Sequence, residues 1–377
     1  MMEKCGIYIH IPFCKVKCIY CDFYSITERE HQREEFTHML CREIELFKVH
    51  NKNNFIIDTI FIGGGTPSLL TVKQLNAILN SLVKTYSLDN VTEITLEANP
   101  GEISKKKLTE FKKLGINRIS FGFQSLQKEL LKFLTRIHTK EEAINSYINA
   151  KDVGFENINI DLIFSIPNQS LSKLENDLKI VSDLNPNHIS AYSLTVEPGT
   201  ELKRLVKKNK VIMPRNKLDL EMLTFTRQFL NNQGYNAYEI SNFSKPNFEC
   251  KHNLNYWNSG PYLAFGPSAH GYDLVNRWSN IRSIDGYIKK LRNFESPIVN
   301  IEMSSKSNKF NETLLNGLRL KKGVCLRKLK SLDQNYYEYL NHGLSKWKKE
   351  ICIDNNYLSL TKEGIPFLDS ILPDLFI

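Results

Sequence analysis

A regular alternation of strand-like and helical segments constrains the fold more than any other feature. Short apolar runs rich in β-branched residues occupy residues 6–11, 59–62, 93–96, 118–121, 157–163 and 189–194. Amphipathic helical patterns fill the gaps, at residues 29–50, 72–86, 103–114, 140–153 and 171–183. Six such units predict a parallel sheet, either open or curled into a partial barrel, because an eight-stranded barrel would need two more.

Each predicted strand ends in a polar or glycine-rich segment. These segments are a cysteine loop, GGGTPS at 63–68, EANP at 97–100, GFQS at 122–125, Asp161 with SIP at 165–167, and TVEPGT at 195–200. A single glycine turn or acidic residue at a strand end is usually structural. Six at one edge, beside clustered cysteines, instead predict an active or binding site, since the carboxyl ends of parallel strands meet there.

Three of the eight cysteines lie close together, as Cys14, Cys18 and Cys21. A structural zinc site would need a fourth ligand, and Asp22 and Phe23 follow the third cysteine instead. Three thiolates on one loop suit three corners of a [4Fe–4S] cubane and leave the fourth iron open for a chelating ligand. We therefore predict a cluster on these three cysteines, with unligated thiols as the alternative.

The other strand ends suit a small zwitterionic ligand. Glycines at 63–65 allow the backbone to approach such a ligand closely. Glu97 and Asp161 can accept hydrogen bonds from ribose hydroxyls or an amine, and Arg136 can pair with a carboxylate.

These motifs together resemble a known family. YIHIPFCKVKCIYC at 8–21, GGGTP at 63–67, RISFGFQS at 118–125 and NIDLIFSIP at 159–167 are similar to the radical-SAM family of oxygen-independent coproporphyrinogen III dehydrogenase. The resemblance runs from about residue 5 to 275. It implies a partial (β/α)6 barrel with a smaller, mainly helical, winged-helix-like C-terminal domain.

The resemblance also implies S-adenosylmethionine (SAM) on the open iron of the cluster. Matched motif by motif, it assigns the cofactor-binding positions to Tyr8, Tyr20, Gly64, Gly65, Thr66, Glu97, Gln124, Arg136, Asp161 and Thr195.

Two departures separate the chain from the dehydrogenase itself. The dehydrogenase pattern has a further cysteine two places after the third, where Phe23 stands here. It also has a long segment ahead of the cluster strand, whereas Met1 lies seven residues before Tyr8. We therefore expect the substrate contacts of that segment to be absent.

A second motif resembles the haem-chaperone subgroup of the same family. The sequence HNLNYW at 252–257 is similar to a haem-binding signature of that subgroup, which implies haem contacts from His252, Tyr256 and Trp257. Without the family, a lone histidine beside two aromatic residues is more often a core residue. His270 is a second candidate ligand.

The pattern changes towards the C-terminus. Lysine-rich amphipathic helical stretches at 283–293, 308–320 and 333–349 precede a strand-like segment at 357–360. We predict a barrel over residues 1–235, an extension carrying the histidine motif over 236–280, and a helical domain over 281–377.

Charge and hydropathy limit the partners. The net charge of +9 is dispersed and comes with no nucleic-acid motif, so we predict no nucleic acid and leave peripheral membrane contact and a homodimer open. No apolar run is long enough to span a membrane and the N-terminus is too polar for a signal peptide, which favours the cytoplasm.

The resemblance implies a chaperone that binds haem and transfers it to apo-haemoproteins, with a cluster and SAM in support. Whether the chain is an enzyme stays open at this point. The alternative is oxidative decarboxylation of coproporphyrinogen III, and a third is another radical-SAM reaction such as methyl transfer.

Overall fold

A computed structural model describes residues 3–50 and 55–377. Six parallel strands form the centre of its large sheet in the order of the chain, at β1 (Lys4–Ile11), β2 (Ile56–Gly64), β3 (Glu93–Ala98), β4 (Arg118–Gln124), β5 (Asn157–Phe164) and β6 (His188–Ser193). All six coincide with the predicted strands. This sequential parallel order confirms the predicted (β/α)6 arrangement.

Helices connect these strands, as parallel pairing requires. They are α1 (Arg33–His50), α2 (Val72–Thr85), α3 (Lys105–Lys113), α4 (Lys128–Phe133), α5 (Lys140–Asp152) and α6 (Leu171–Leu184), with α7 (Glu201–Lys207) and α8 (Asn216–Asn232) after β6. Several of these helices have a residue with a hydroxyl side chain at the N-cap position. Thr71 and Thr139 form capping boxes with Gln74 and Glu142, which satisfies backbone N–H groups at the first turns of α2 and α5.

The sheet extends beyond the six predicted strands at both edges. Two short strands, β7 (Asn236–Ala237) and β8 (Asn242–Ser244), continue antiparallel from β6. On the other side β9 (Tyr262–Phe265) runs parallel to β1, and three antiparallel strands follow, β10 (His270–Tyr272), β11 (Asn276–Asn280) and β12 (Ile298–Met303). The sequence analysis missed these additions because most of them are only two to five residues long.

Side chains of the central strands alternate between an apolar and a polar face. Ile7, Ile9, Ile60 and Ile62 are fully buried in the main hydrophobic core, together with apolar residues of the helices. The opposite face carries buried polar side chains, which we call the polar floor: Thr59, Glu93, Arg118, Asn159 and His188. These groups bond to one another, as when Nδ1 of His188 donates to Oδ1 of Asn159 at 2.6 Å.

The last part of the chain has its own core. Buried apolar residues from Phe310 to Leu375 form a separate cluster. The elements here are α11 (Lys306–Gly317), α12 (Leu326–Leu332), α13 (Tyr336–Lys346) and α14 (Leu368–Ile371), with a small antiparallel sheet of β13 (Val324–Cys325), β14 (Ile351–Asp354) and β15 (Tyr357–Leu360). The preceding helix α10 (Ile284–Arg292) packs into the main core instead. The division at residues 235 and 280 stays a prediction.

Candidate functional site

The three clustered cysteines lie on the loop between β1 and α1. The loop is closed at its base by two backbone hydrogen bonds, from Cys14 N to Ile26 O at 2.9 Å and from Ile26 N to Pro12 O at 2.8 Å. A further bond from Cys21 N to Cys18 O, 3.2 Å long, tightens the loop between the second and third thiols. The three side chains are thus held at the carboxyl end of the first strand.

The chemistry of the three thiols fits an iron–sulfur cluster. All are free and half-buried, and burial raises the pKa of Cys14 and that of Cys21, the latter to about 11, with Cys18 adding to both shifts. Bound cations would therefore be needed to keep Cys14 and Cys21 as thiolates. Within residues 3–50 and 55–377, no three His, Cys, Asp or Glu side chains are placed around a single ion.

A chain of hydrogen bonds ties this loop to the next strand ends. The hydroxyl of Thr66 lies 3.5 Å from Sγ of Cys14 and accepts from Nδ2 of Asn99 at 2.9 Å. Nη2 of Arg136 donates to Oδ1 of Asn99 at 2.6 Å, while its Nη1 lies 3.8 Å from Sγ of Cys18. The ends of strands β2 and β3 and the segment after α4 therefore converge on two of the cysteines.

The glycines at the end of β2 lie where the fold has no room for a side chain. Gly64 has a φ of 109°, in the left-handed region, and its N–H donates to Oε2 of Glu97 at 3.0 Å. A Cβ on Gly65 would come within 2.7 Å of the carbonyl oxygen of Phe13. Neither position tolerates a side chain, because one is conformationally restricted and the other is pressed against backbone.

Two buried carboxylates lie on this edge, Glu97 on β3 and Asp161 on β5. Burial raises the pKa of Glu97 to about 8, and the charge of Asp161 adds to the shift, while Gly64 N–H and Arg118 oppose it. Burial also raises the pKa of Asp161, although Nδ2 of Asn159 donates to it at 2.7 Å. A positively charged ligand would relieve this repulsion, and the sulfonium group of SAM has that charge.

Arg136 has spare capacity for a ligand. Its Nε is buried without a hydrogen-bond partner, although Nη2 also donates to the carbonyl oxygen of Gly122 at 2.6 Å. Gln124 lies next to it, in the left-handed region at φ 65°. Burial raises the pKa of the nearby Tyr20, and Cys18 adds to that shift while Arg136 opposes it.

The structure brings most of the predicted SAM-binding residues to one edge, with two exceptions. Thr195 follows β6 with an exposed side chain, and no hydrogen bond joins it to the others in the described residues. Tyr8 faces a neighbouring groove, where its hydroxyl donates to Nδ1 of His10 at 3.0 Å. All ten assignments to SAM stay predictions.

The groove beside the cysteine loop has a volume of about 720 Å³. Residues that directly follow Cys21 form one wall, and the C-terminal half of a short helix, α9 (Lys251–Trp257), forms another. Seven of the lining residues are aromatic: Tyr8, Phe23, Tyr24, Tyr256, Trp257, Tyr262 and Tyr272. Its charged or titratable members are His10, Asp22, His270, Arg277, Arg282 and Glu312. The groove therefore combines aromatic and charged side chains next to the predicted cluster.

Helix α9 carries the predicted haem motif and is anchored in the polar floor. Glu93 accepts from the backbone N–H groups of Lys251 and His252, at 3.0 and 3.1 Å. The imidazole of His252 is fully buried, with Nδ1 2.8 Å from Oγ1 of Thr59 and Nε2 2.8 Å from the hydroxyl of Tyr256. Burial lowers its pKa to about 3. Tyr256 lines the groove and His252 does not. The role of His252 as an iron ligand therefore stays a prediction.

Comparison with known proteins identifies the family. Residues 8–181 match the Radical SAM superfamily. The heme chaperone HemW of Buchnera aphidicola subsp. Schizaphis graminum is 37% identical over 378 residues, which cover 97% of each chain. The heme chaperone HemW of Escherichia coli is 38% identical over 267 residues, or 71% of this chain and 69% of its relative. The chain belongs to the HemW family.

A solved structure supports the fold of this HemW-family chain. Coproporphyrinogen III oxidase (HemN) from Escherichia coli superposes with a TM-score of 0.85, covering 100% of this chain and 90% of its own, at 21% identity. That likeness concerns the fold alone. The described part of the chain contains no helix long and apolar enough to cross a membrane.

Some residues of the site in this HemW-family member were not selected from sequence. Asn99 belongs to the polar EANP segment at the end of β3, and the sequence does not distinguish it from its neighbours. Its importance follows from its hydrogen bond with Arg136. Arg277 and Arg282 carry no local signal, because only β11 and the turn after it bring them to the groove. Phe23, where the dehydrogenase pattern has cysteine, lies on the groove wall.

Proposed function

We propose that the chain binds haem in the aromatic groove and transfers it to apo-haemoproteins, with a [4Fe–4S] cluster and SAM at the adjacent strand edge. The observation that carries the proposal is continuity: Asp22, Phe23 and Tyr24 line the groove and directly follow Cys21. The names of the HemW relatives support a haem ligand. The relatives' chaperone description supports transfer.

The aromatic lining suits a porphyrin. Flat rings pack well against aromatic side chains, and Tyr256 and Trp257 present theirs from α9. These observations favour a large aromatic ligand in this groove over a small polar one.

The strand edge suits the two other groups. Cys14, Cys18 and Cys21 would hold the cluster, and its open iron would take SAM as its chelating ligand. Arg136 would neutralise the carboxylate of SAM. Glu97 and Asp161 would hold the cationic and hydroxyl groups of SAM. The protein's contribution is thus to position SAM one loop away from the haem groove.

The alternative is decarboxylation of coproporphyrinogen III, because the chain has the same fold as HemN. The residue at 23 argues against it, because a phenylalanine replaces the further cysteine of the dehydrogenase pattern. A cytoplasmic location, a homodimer and peripheral membrane contact also remain parts of the proposal that require their own tests.

One experiment separates the two functions. The full chain is reconstituted anaerobically with iron and sulfide, and given SAM, a reductant and either coproporphyrinogen III or haem. We expect stable binding of one haem per chain and no loss of carboxyl groups from coproporphyrinogen. Decarboxylated porphyrinogen with multiple turnovers would overturn the chaperone proposal in favour of the enzyme.

A further inference from the structure

Three imidazoles line or adjoin the groove, and they differ in what their nitrogens contact. Nε2 of His10 donates to the carbonyl oxygen of Tyr24 at 2.7 Å, while its Nδ1 accepts from Tyr8. Both nitrogens of His252 are likewise bonded. His270 is exposed to the groove, and its imidazole makes no hydrogen bond with the described part of the chain. Only this third imidazole has a nitrogen available to a ligand in the groove.

The position of His270 is fixed by the sheet. It begins β10 and pairs with Ser279 of β11. The turn before it is fastened by the buried carboxylate of Glu43, which accepts from the N–H of Gly266 at 2.8 Å and from Nδ2 of Asn280 at 2.5 Å. A side chain on a rigid strand end holds a metal ion more reliably than one on a mobile loop.

Charge in the groove is unevenly neutralised. Arg277 is paired with Glu312, through bonds of 2.7 and 2.6 Å. Arg282 is exposed and donates only to the backbone oxygen of Asp22, at 2.8 Å, and no carboxylate pairs with it in the part of the chain that the structure describes. The groove thus presents one free guanidinium near its free imidazole. A ligand with a metal centre and peripheral carboxylates would satisfy both groups.

We infer that His270 is the axial ligand of haem iron in this groove and that Arg282 binds a haem propionate. The inference rests on the proposed function, since it names the contacts of the same ligand. It reassigns the iron bond from His252, whose imidazole instead positions Tyr256. Burial, together with Arg282 and Arg277, lowers the pKa of His270, which keeps the imidazole in the neutral form that binds iron.

The iron bond is tested by spectroscopy of the full chain titrated with ferric haem. His270→Ala should remove the histidine-ligated Soret spectrum, and added imidazole should restore it. His270→Cys should instead give the spectrum of a thiolate ligand, which is a positive signature and does not depend on loss of binding. His38→Ala, which removes an exposed histidine of α1 outside the groove, is the matched control.

The propionate contact is tested with two ligands that differ only in charge. Arg282→Gln should weaken the binding of haem about tenfold, as expected for an exposed charge-assisted hydrogen bond. The same change should not weaken the binding of haem dimethyl ester, because its propionates are esterified. Equal weakening of both ligands would show that Arg282 only holds the backbone of Asp22, which overturns the propionate assignment.

The possible outcomes distinguish a failure of this inference from a failure of the proposed function. If the wild-type chain binds no haem, the proposed function fails. If it binds haem and His270→Ala and His270→Cys keep the wild-type spectrum, the function stands and the assignment of His270 is overturned. Loss of the spectrum in a His252 variant of unchanged stability would return the iron bond to that residue.

Discussion

The hydroxyl of Tyr256 lies 2.8 Å from Nε2 of His252, and this pair joins the wall of the groove to the polar floor of the barrel. On the other side of the ring, Nδ1 lies 2.8 Å from Oγ1 of Thr59 on β2. The imidazole stacks on Phe61, at 5.3 Å between ring centroids. His252 therefore occupies the place of a buried positioning residue rather than that of an exposed ligand.

Replacing His252 should lower the stability of the fold rather than remove a ligand of the haem iron. His252→Ala leaves a cavity and two unpaired hydroxyl groups, so we expect the free energy of unfolding to fall by about 2–4 kcal/mol. Urea unfolding measures the loss. Tyr256→Phe keeps the ring and removes one hydrogen bond, and should cost about 1 kcal/mol. A His252→Ala protein of wild-type stability would contradict the buried role.

The aromatic wall should contribute affinity without contributing an iron bond. Trp257→Ala should weaken haem binding about three- to tenfold, because stacking on a flat ring is worth about 0.5–1.5 kcal/mol. The position of the Soret band should not change. Tyr337→Ala, an exposed aromatic residue of α13, is the control. A shifted band with unchanged affinity would contradict the stacking role.

The cluster prediction concerns three thiols out of eight. Anaerobic reconstitution should give about four irons per chain with sulfur-to-iron charge-transfer absorbance. Alanine at Cys14, Cys18 or Cys21 should abolish that absorbance. Alanine at Cys41, which is half-buried on α1, or at the exposed Cys352 should leave it intact. Loss of the cluster in either control protein would contradict the three-cysteine assignment.

Binding of SAM should depend on pH through Glu97. Its pKa is raised to about 8, first by burial and then by Asp161, so the free protein holds a proton there at neutral pH. A bound cation favours the ionised carboxylate, and binding therefore releases that proton. We expect affinity for SAM to increase as pH is raised towards about 8 and to level off above it. Isothermal titration of the cluster-loaded chain at several pH values measures this dependence.

Two variants sharpen the pH test. Glu97→Gln keeps the shape of the side chain, cannot ionise, and should give a lower affinity that no longer varies with pH. Asp161→Asn removes the neighbouring charge and should move the transition to lower pH. A wild-type affinity that is constant across this range would contradict the role of Glu97.

Much of the fold follows from local sequence patterns. Strand β1 and the five parallel strands after it are long, apolar on alternate residues and bounded by polar turns, so periodicity suffices to locate them. By contrast, β10 has only three residues, His-Gly-Tyr, and has no periodicity to detect. It exists because β9 and β11 hold it in place, which is tertiary information.

The site divides in the same way. Thr66, Glu97 and Arg136 are recognisable because each follows a predicted strand or belongs to a motif. The structure joins Thr66 to Arg136 through Asn99 and Glu97 to Gly64. The burial of His252 could not be foreseen, because a histidine beside Tyr256 and Trp257 is compatible with either an exposed or a buried ring. Which nitrogens are free is a property of the packed barrel and not of the HNLNYW string.

Transfer of haem to an acceptor tests the central claim most directly. Cluster-loaded chain carrying one haem is mixed anaerobically with the apo-form of a b-type haemoprotein, and the appearance of the acceptor's spectrum is followed. Apomyoglobin in excess gives the rate of spontaneous haem release. We predict a transfer rate that rises with acceptor concentration and exceeds the spontaneous rate. A rate equal to spontaneous release at every acceptor concentration would contradict the account.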